Sequence, residues 1–585
     1  MGGGKPVVIK FAASVLNSQR DLPLAVTEIY RYVRQGKKVV AIVSALDGET
    51  DRLRAAADDI GAGLRSKHSA GFAALGEAQA TYALAIACDH VGLSPHVLEA
   101  KELHLTAEGD FNDAWPTGVC DAALSEALQK SEVAIVPGYV GVGPDERLVL
   151  LGRGGADLTT IVVAHALGAE EAIFLTDADG LFDRDPLTAE RLPVEAAKRY
   201  KTIPWTEVRN KAPGLIQDKA LHYAENNSVR LNVMAPGALA GSKVGAYSAE
   251  EKPYSPDAPK RVAVAGLGVV GEGAALKAIF APRKFELVAC LVSDKSKPRH
   301  RQIDPALVLS DAEQMFDQDP EILVDATSSG DVSRELIEAA LSRGISVSTA
   351  NKQAICDHLP SLKEMAANSG ASFAYSASVG GGSPMVETVV RAAELGSVTE
   401  ICAVLNGTVN FILSEVERGS SFEEAVVLAQ RAGFAEADPS ADLSGEDARA
   451  KGKILAHEAF GVDPLNVTID AEPLDATRAS DIVKVGGVWR QVTRITRSSD
   501  DTASILVRYE DVSDDPLFST LTDEENALRV VVADAAPKND NTTDHPDKDS
   551  KVSLTCRGRG AGRAPTVEAL LADVADFIRA KTTSE

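Results

Sequence analysis

The stretch GFAEADPSADLSGEDARAKGKILAHEAFG, residues 433–461, holds the densest chemistry in the chain. Glu436, Asp438 and Asp442 crowd a proline-containing loop, and Asp447 and Lys451 follow four apart on a predicted helix, sharing one face. An acidic loop capping a helix with one surface ion pair accounts for Asp447 and Lys451. It does not account for the acids before the helix. A substrate bearing an ammonium group does, because that group needs carboxylate partners. A lysine held beside it can steady negative charge on a carbonyl oxygen and give it a proton.

A second constellation begins at RVAVAG, 261–266, a strand that runs directly into GLGVVG and then a helical pattern. Gly266 permits the tight turn, Gly268 lets a pyrophosphate approach the backbone, and Gly271 lets helix and strand pack closely; Leu267, Val269 and Val270 complete the loop. The helix N-terminus faces the phosphates. The next strand, ELVACLV, ends at Ser293 and Asp294, about where an acid would hold the ribose of NAD. Lys295, Lys297, Arg299 and Arg301 follow and suit either a 2′-phosphate or a solvated loop, so NAD and NADP both stay open. Further strands end at Thr327 and Ser328 and at the Asn351–Lys352 pair, where the cofactor crevice should open. Taken alone, Lys352 reads as a surface lysine; in that crevice it is a candidate for the reacting carbonyl.

These residues need a scaffold. Apolar strand-like runs alternate with helical patterns along most of the 585 residues, so the fold class is α/β with several domains. PVVIKF, KKVVAIVSA, VAIVPGYVG, EAIFLTDADG and RLNVMAP read as strands of a first domain over 1–240. Residues 241–260, rich in Gly, Ser, Pro and charge, read as a linker. A Rossmann domain follows over 261–375 and an α+β region over 376–555. The polar stretch 536–550 reads as a mobile loop. A formal charge of −25 argues against nucleic acid and anionic membrane as partners, and no run is apolar enough to span a membrane. The six scattered cysteines read as reduced thiols in a cytoplasmic protein.

VDATSS, TANKQA, SVGGGSP, LNGTVNFIL, the long acidic motif and RGRGAGRAPTVEALLADV together resemble homoserine dehydrogenase over nearly all of 261–585. The resemblance implies interconversion of aspartate semialdehyde and homoserine with NADP or NAD. It implies that Glu436 and Asp442 bind the amino and hydroxyl end of the substrate, with Asp447 in the same network. Lys451 and then Lys352 would be the catalytic lysines, and Asn406, Gly407 and Thr408 would line the cleft. A family site for a monovalent cation, Na+ or K+, would use backbone carbonyls of Val379, Gly381 and Ser383; Ser376 stands where the family often has a glutamate. The resemblance also implies that residues near 556–585 complete the Rossmann domain, that 376–555 form the α+β substrate-binding and dimerisation domain, and that the protein is a homodimer or homotetramer. Another Rossmann dehydrogenase of an amino-acid semialdehyde, and a non-catalytic dinucleotide sensor, are the alternatives.

VPGYVG, LGRGGADLTT and LTDADGLFDRDP in the first half resemble aspartokinase and its amino-acid kinase fold. Glu77, Arg153 and Asp157 would be aspartate-binding residues, Lys10 would sit in the phosphate motif, and Asp177 and Asp179 would lie at the nucleotide. The family's Lys-Phe-Gly-Gly-Thr-Ser opening is here Lys10-Phe11-Ala12-Ala13-Ser14, and its late Gly-Ala-Lys segment is replaced by Pro213-Gly214-Leu215-Ile216-Gln217. Alanine adds a Cβ where backbone must approach phosphate. The expectation is a kinase-derived unit with lost or feeble activity, against a fully bifunctional enzyme using ATP and Mg2+. With the last kinase-like strand ending near Pro236, no room remains for regulatory ACT domains and their threonine inhibition.

Overall fold

A computed structural model describes residues 5–61, 68–184, 197–212, 214–238, 240–253, 258–281, 284–435, 438–533, 551–560 and 562–582, apart from the side chains of 280 and 580–582. Glu436, Pro213 and the predicted loop 536–550 lie outside the described residues. The chain mixes helices and sheets throughout and divides into two compact units, at Asp257/Ala258.

The first unit is built on a nine-stranded sheet. Val7–Phe11 lies parallel between Val39–Val43 and Ala172–Leu175. Val39–Val43 is buried at every position, which is why it reads as an unbroken apolar run and not as an alternation. The run VAIVPGYVG is one predicted strand but two real ones. Val133–Pro137 joins the large sheet, the chain turns at Tyr139 with φ 71, and Val140–Val142 enters a separate four-stranded sheet.

The predicted linker 241–260 is a correction. Ser242–Gly245 inserts between Leu231–Met234 and Lys198–Pro204, and Glu250–Pro253 pairs with Lys198–Pro204 as the outermost strand. All four residues of that edge strand are exposed. An edge strand facing water has no apolar pattern to betray it, so its sequence looks like a linker. These strands occupy the stretch after Pro236 and leave no regulatory domain there among the described residues.

The second unit starts with six parallel strands: Lys260–Ala265, Phe285–Leu291, Val308–Leu309, Ile322–Asp325, Ser346–Thr349 and Phe373–Ala374. Numbered in that order they lie 3-2-1-4-5-6, the doubly wound dinucleotide order with its crevice between strands 1 and 4. Six more strands form a second sheet, antiparallel except where Val467–Ala471 joins Ala503–Asp511. Burial along Ala503–Asp511 alternates nearly residue by residue, as one packed face requires. Residues 556–559, expected in the Rossmann domain, belong to the last antiparallel strand, Val552–Arg559. The return begins with helix Arg563–Thr582, whose Val567, Leu570, Val574 and Phe577 pack with Val262, Val264, Ala274 and Ala275.

Candidate active site

The glycine turn behaves as its spacing demands. Gly266 sits at φ 82, and a Cβ there would come within 2.6 Å of the Ala326 carbonyl oxygen. A Cβ on Gly271 would overlap the Gly266 carbonyl, so only glycine lets this helix pack against the strand. Gly268 precedes helix Val269–Phe280 and has open space where a Cβ would stand, leaving the helix N-terminus accessible to a phosphate. Leu267 is buried, Val270 half-buried and Val269 exposed.

Of the basic residues after the second strand, Arg299 has a defined place. Its guanidinium donates to the carbonyls of Leu267 at 2.8 Å and Asp294 at 3.0 Å, bracing the glycine turn. Ser293 is exposed. Asp294 accepts from the hydroxyl and backbone N–H of Ser296, and these bonds hold its carboxyl below the ordinary aspartate value.

Sequence reading missed Asp325, a wholly buried carboxylate at the end of the fourth parallel strand. It accepts from the backbone N–H and hydroxyl of Thr327 and from the hydroxyl of Thr349 at 2.7 Å, so it ties two strand ends together at the crevice. Its only trace in the sequence is an acid closing an apolar strand. Ser328 follows Thr327 in the same crevice loop. Asn351 donates to the carbonyls of Thr327 and Ser329 at 3.0 and 3.1 Å and caps the short helix Lys352–Ile355. That cap aims Lys352 across to the acidic motif.

There the lysines and acids meet. Asp447, in the first turn of helix Glu446–Phe460, pairs with Lys451 at 2.7 Å through one carboxylate oxygen and with Lys352 at 3.0 Å through the other. Burial alone would raise its pKa, but the two ammonium groups outweigh that and hold it down at about 2. Asn406 donates to Asp447 at 3.0 Å and to Asp442 at 2.8 Å. Asp442 moves the other way. Burial first, then the neighbouring Asp447 charge, pushes its pKa up. Lys451 also donates to the Leu405 carbonyl at 2.8 Å. An ammonium has three N–H donors, so with Asp447 and Leu405 served a third remains for a substrate oxygen. Asn406 caps helix Gly407–Glu417 through the Val409 N–H. Gly407 starts that helix where a Cβ would crowd the Glu524 carbonyl at 2.7 Å, and Thr408 donates to the Phe434 carbonyl at 2.6 Å, at the mouth of the acidic loop. Asp438, by contrast, is exposed and turns onto the Ser440 N–H.

The SVGGG loop lies beside the antiparallel sheet. Gly380 and Gly381 sit at φ 82 and 58, and the Gly382 N–H reaches the Arg559 carbonyl at 3.2 Å. Val379 is fully buried, and the Ser383 carbonyl accepts the Met385 N–H at 2.7 Å. Ser376 donates through its hydroxyl to Asp573 of the C-terminal helix at 2.7 Å, so a carboxylate does stand at this position, supplied from elsewhere in the chain.

In the first unit, Lys10 and Asp157 form a buried ion pair. Asp157 also accepts the Gln217 N–H at 2.8 Å, and the Gln217 side chain donates to the Leu151 carbonyl at 2.9 Å. Gln217 therefore lies across the Gly152–Gly154 turn, 3.1 Å from where a Cβ on Gly154 would be. The Ala12 N–H, in the altered phosphate motif, is taken by the Leu175 carbonyl. Glu77 is buried near the Thr50 hydroxyl, and burial pushes its pKa up to about 7. Arg153 and Asp177 are exposed, and the backbone carbonyl of Asp179 accepts from Arg199.

A doubly wound dinucleotide fold with a lysine–carboxylate cluster at the carboxyl ends of its strands defines a nicotinamide-nucleotide oxidoreductase. Residues 266–376 match the NAD-binding domain of homoserine dehydrogenase, residues 384–575 match homoserine dehydrogenase, and residues 5–233 match the amino acid kinase family. The chain belongs to the homoserine dehydrogenase family through its second unit and carries an amino acid kinase domain in its first. It is 32% identical over 249 residues to an NAD(+)-dependent homoserine dehydrogenase of Pseudomonas canavaninivorans, covering 42% of this chain and 66% of that protein. It is 28% identical over 345 residues to a homoserine dehydrogenase of Synechocystis, covering 56% of this chain and 75% of the relative. Its first half is 26% identical over 241 residues to an aspartokinase of Thermus thermophilus, covering 40% of this chain and 58% of the relative. The chain thus spans between just over half and three quarters of the length of these relatives.

Proposed function

We propose that the second unit interconverts L-aspartate 4-semialdehyde and L-homoserine with NAD or NADP. The observation that carries the reading is Asp447 gripped by two lysines, one from the acidic motif and one from the dinucleotide crevice. The glycine turn, Thr327, Ser328 and Asn351 would hold the cofactor, which supplies or accepts the hydride at the carbonyl carbon. The rest falls to side chains. Asp442, with Glu436 from the same loop, receives the substrate ammonium. The free N–H of Lys451 meets the carbonyl oxygen, steadies its charge as it becomes an alkoxide and delivers the proton. Asp447 keeps both lysines oriented, and Lys352 shares the field at that oxygen. In the oxidative direction the proton returns to the lysine or to water.

Homoserine-dependent reduction of NAD or NADP by the purified protein tests this, and no reduction with either cofactor sinks it. A sensor reading is disfavoured because sensing a dinucleotide requires no acid–lysine cluster in the crevice.

The first unit is proposed to have lost efficient phosphoryl transfer. Its Ala12 amide is already bonded and Gln217 stands where a nucleotide-binding lysine is expected, while transfer depends on phosphate positioning. The intact Lys10–Asp157 pair favours a second reading, a working aspartokinase using ATP and Mg2+. Aspartate-dependent ADP formation decides between them. A Na+ or K+ ion on the carbonyls of Val379, Gly381 and Ser383 is a lesser proposal, tested by replacing both ions with choline in the assay. A cytoplasmic homodimer or homotetramer is proposed on the family resemblance; none of the six cysteines forms a disulfide, and among the described residues no helix is long and apolar enough to cross a membrane.

A further inference from the structure

The Leu405 carbonyl that receives Lys451 has a second donor. Asn526, at the start of strand Glu525–Ala533, donates its amide to the same oxygen at 3.0 Å. Asn526 is wholly buried, and its own side-chain carbonyl has no partner. A buried amide with an unfilled acceptor is costly, and an apolar residue would suit a core strand better. The surroundings keep it nonetheless. A Cβ on Gly560 would overlap the Asn526 amide, so the glycine of the RGRG motif makes the room it occupies. The preceding Arg559 receives the Gly382 N–H of the SVGGG loop.

We infer that Asn526 is a positioning residue for the proposed dehydrogenase reaction, fixing the Leu405 carbonyl and through it the ammonium of Lys451. Leu405 joins strand Ser397–Val404 to the Asn406 cap, so its peptide could otherwise rotate. With Asn526 on one lone pair, the other is directed at Lys451, and the remaining N–H of that lysine keeps a constant aim at the cleft. Gly560 of the RGRG motif then serves the catalytic lysine at one remove, a role the dinucleotide site does not require of it.

This rests on the reading of Lys451 as the proton donor, and the test separates the two. In Asn526→Ala, kcat with homoserine should fall by about tenfold to a hundredfold while KM moves less than about threefold, as expected for a misaimed group. Asn526→Asp, which keeps the shape but loses the donor, should behave alike and shift the pH profile of kcat. Asn410→Ala is the control. Asn410 is also buried and holds the lead-in to the same strand through the carbonyls of Asp523 and Glu525, but donates to these and not to the Leu405 carbonyl. It should lower Tm and leave kcat near wild type. Wild-type kcat and pH profile in both Asn526 variants overturn the inference without touching the proposed function, and so does an equal loss of kcat in Asn410→Ala. If the wild type does not oxidise homoserine, the proposed function fails. The inference is then read from reductive methylation of Lys451 relative to Lys453, mapped by peptide mass. A higher ratio in Asn526→Ala supports it and an unchanged ratio overturns it.

Discussion

Both units hold a lysine against an aspartate in the first turn of a helix, and both helices start from a glycine in the left-handed region, Gly154 at φ 79 and Gly445 at φ 80. In each case the helix N-terminus adds its own attraction for the carboxylate. The difference lies in what else is attached. Asp447 has two lysines and an asparagine, with the raised carboxyl of Asp442 beside it, and one N–H of Lys451 left over. Asp157 has one lysine, and its second oxygen is closed off by the backbone of Gln217. In the first cluster two lysines from different segments and a second acid converge on the aspartate, and Lys451 keeps one N–H unspent. In the second the aspartate meets a single lysine and the Gln217 backbone, and the Gln217 side-chain carbonyl stays without a partner. The same local motif thus gathers a lysine pair and a second acid in one unit and a single lysine in the other.

The largest effect that would sharpen this contrast is at Lys451. Lys451→Ala should lower homoserine turnover by about a thousandfold while changing cofactor affinity little, read by steady-state kinetics and a cofactor titration. Equal losses in both would place the lysine in binding instead. Next comes Asp447→Asn, which leaves two ammonium groups without their carboxylate. Turnover should drop by about a hundredfold and stability of the second unit by about 3 kcal/mol in denaturant unfolding.

The first unit offers the reverse experiment. The triple change Ala12→Gly, Ala13→Gly, Gln217→Lys should raise aspartate-dependent ADP formation by about tenfold or more if the altered phosphate motif is what blocks transfer. No gain would mean that the difference between the two clusters does not lie there.

The smallest effect concerns pH. Glu77 is raised to about 7, so in the folded state it keeps a proton that the unfolded chain releases above the ordinary value of 4.5. Stability of the first unit should therefore fall as pH rises from about 4.5 to 7, and Glu77→Gln should remove that slope and gain about 2 kcal/mol at pH 8, measured by thermal unfolding. Asp447 has the opposite sign. Its carboxylate, held at about 2, contributes stability that is complete above the unfolded value of 3.8 and is lost as pH falls toward 2.

Much of the site was legible because its chemistry is local in sequence. The glycines of GLGVVG lie within six residues, and Asp447 and Lys451 lie one helical turn apart, so backbone geometry alone brings each set together. The strands at 242–253 were illegible for the opposite reason. Their pairing is made by hydrogen bonds to Lys198–Pro204 and Leu231–Met234, and hydrogen bonds to backbone leave no mark on side-chain choice.

By itself, then, the sequence determined the α/β class, the dinucleotide turn, the acid–lysine helix and the altered phosphate motif of the first unit. Each is a short-range pattern of residue size, charge and backbone freedom. Only the tertiary structure decided that Lys352 reaches Asp447 across 95 positions, that Asp325 ties the strand ends, that Asp573 meets Ser376, and that Asn526 shares a carbonyl with Lys451. Those contacts depend on which strands become neighbours, and that is settled by burial of the whole sheet and not by any segment of it.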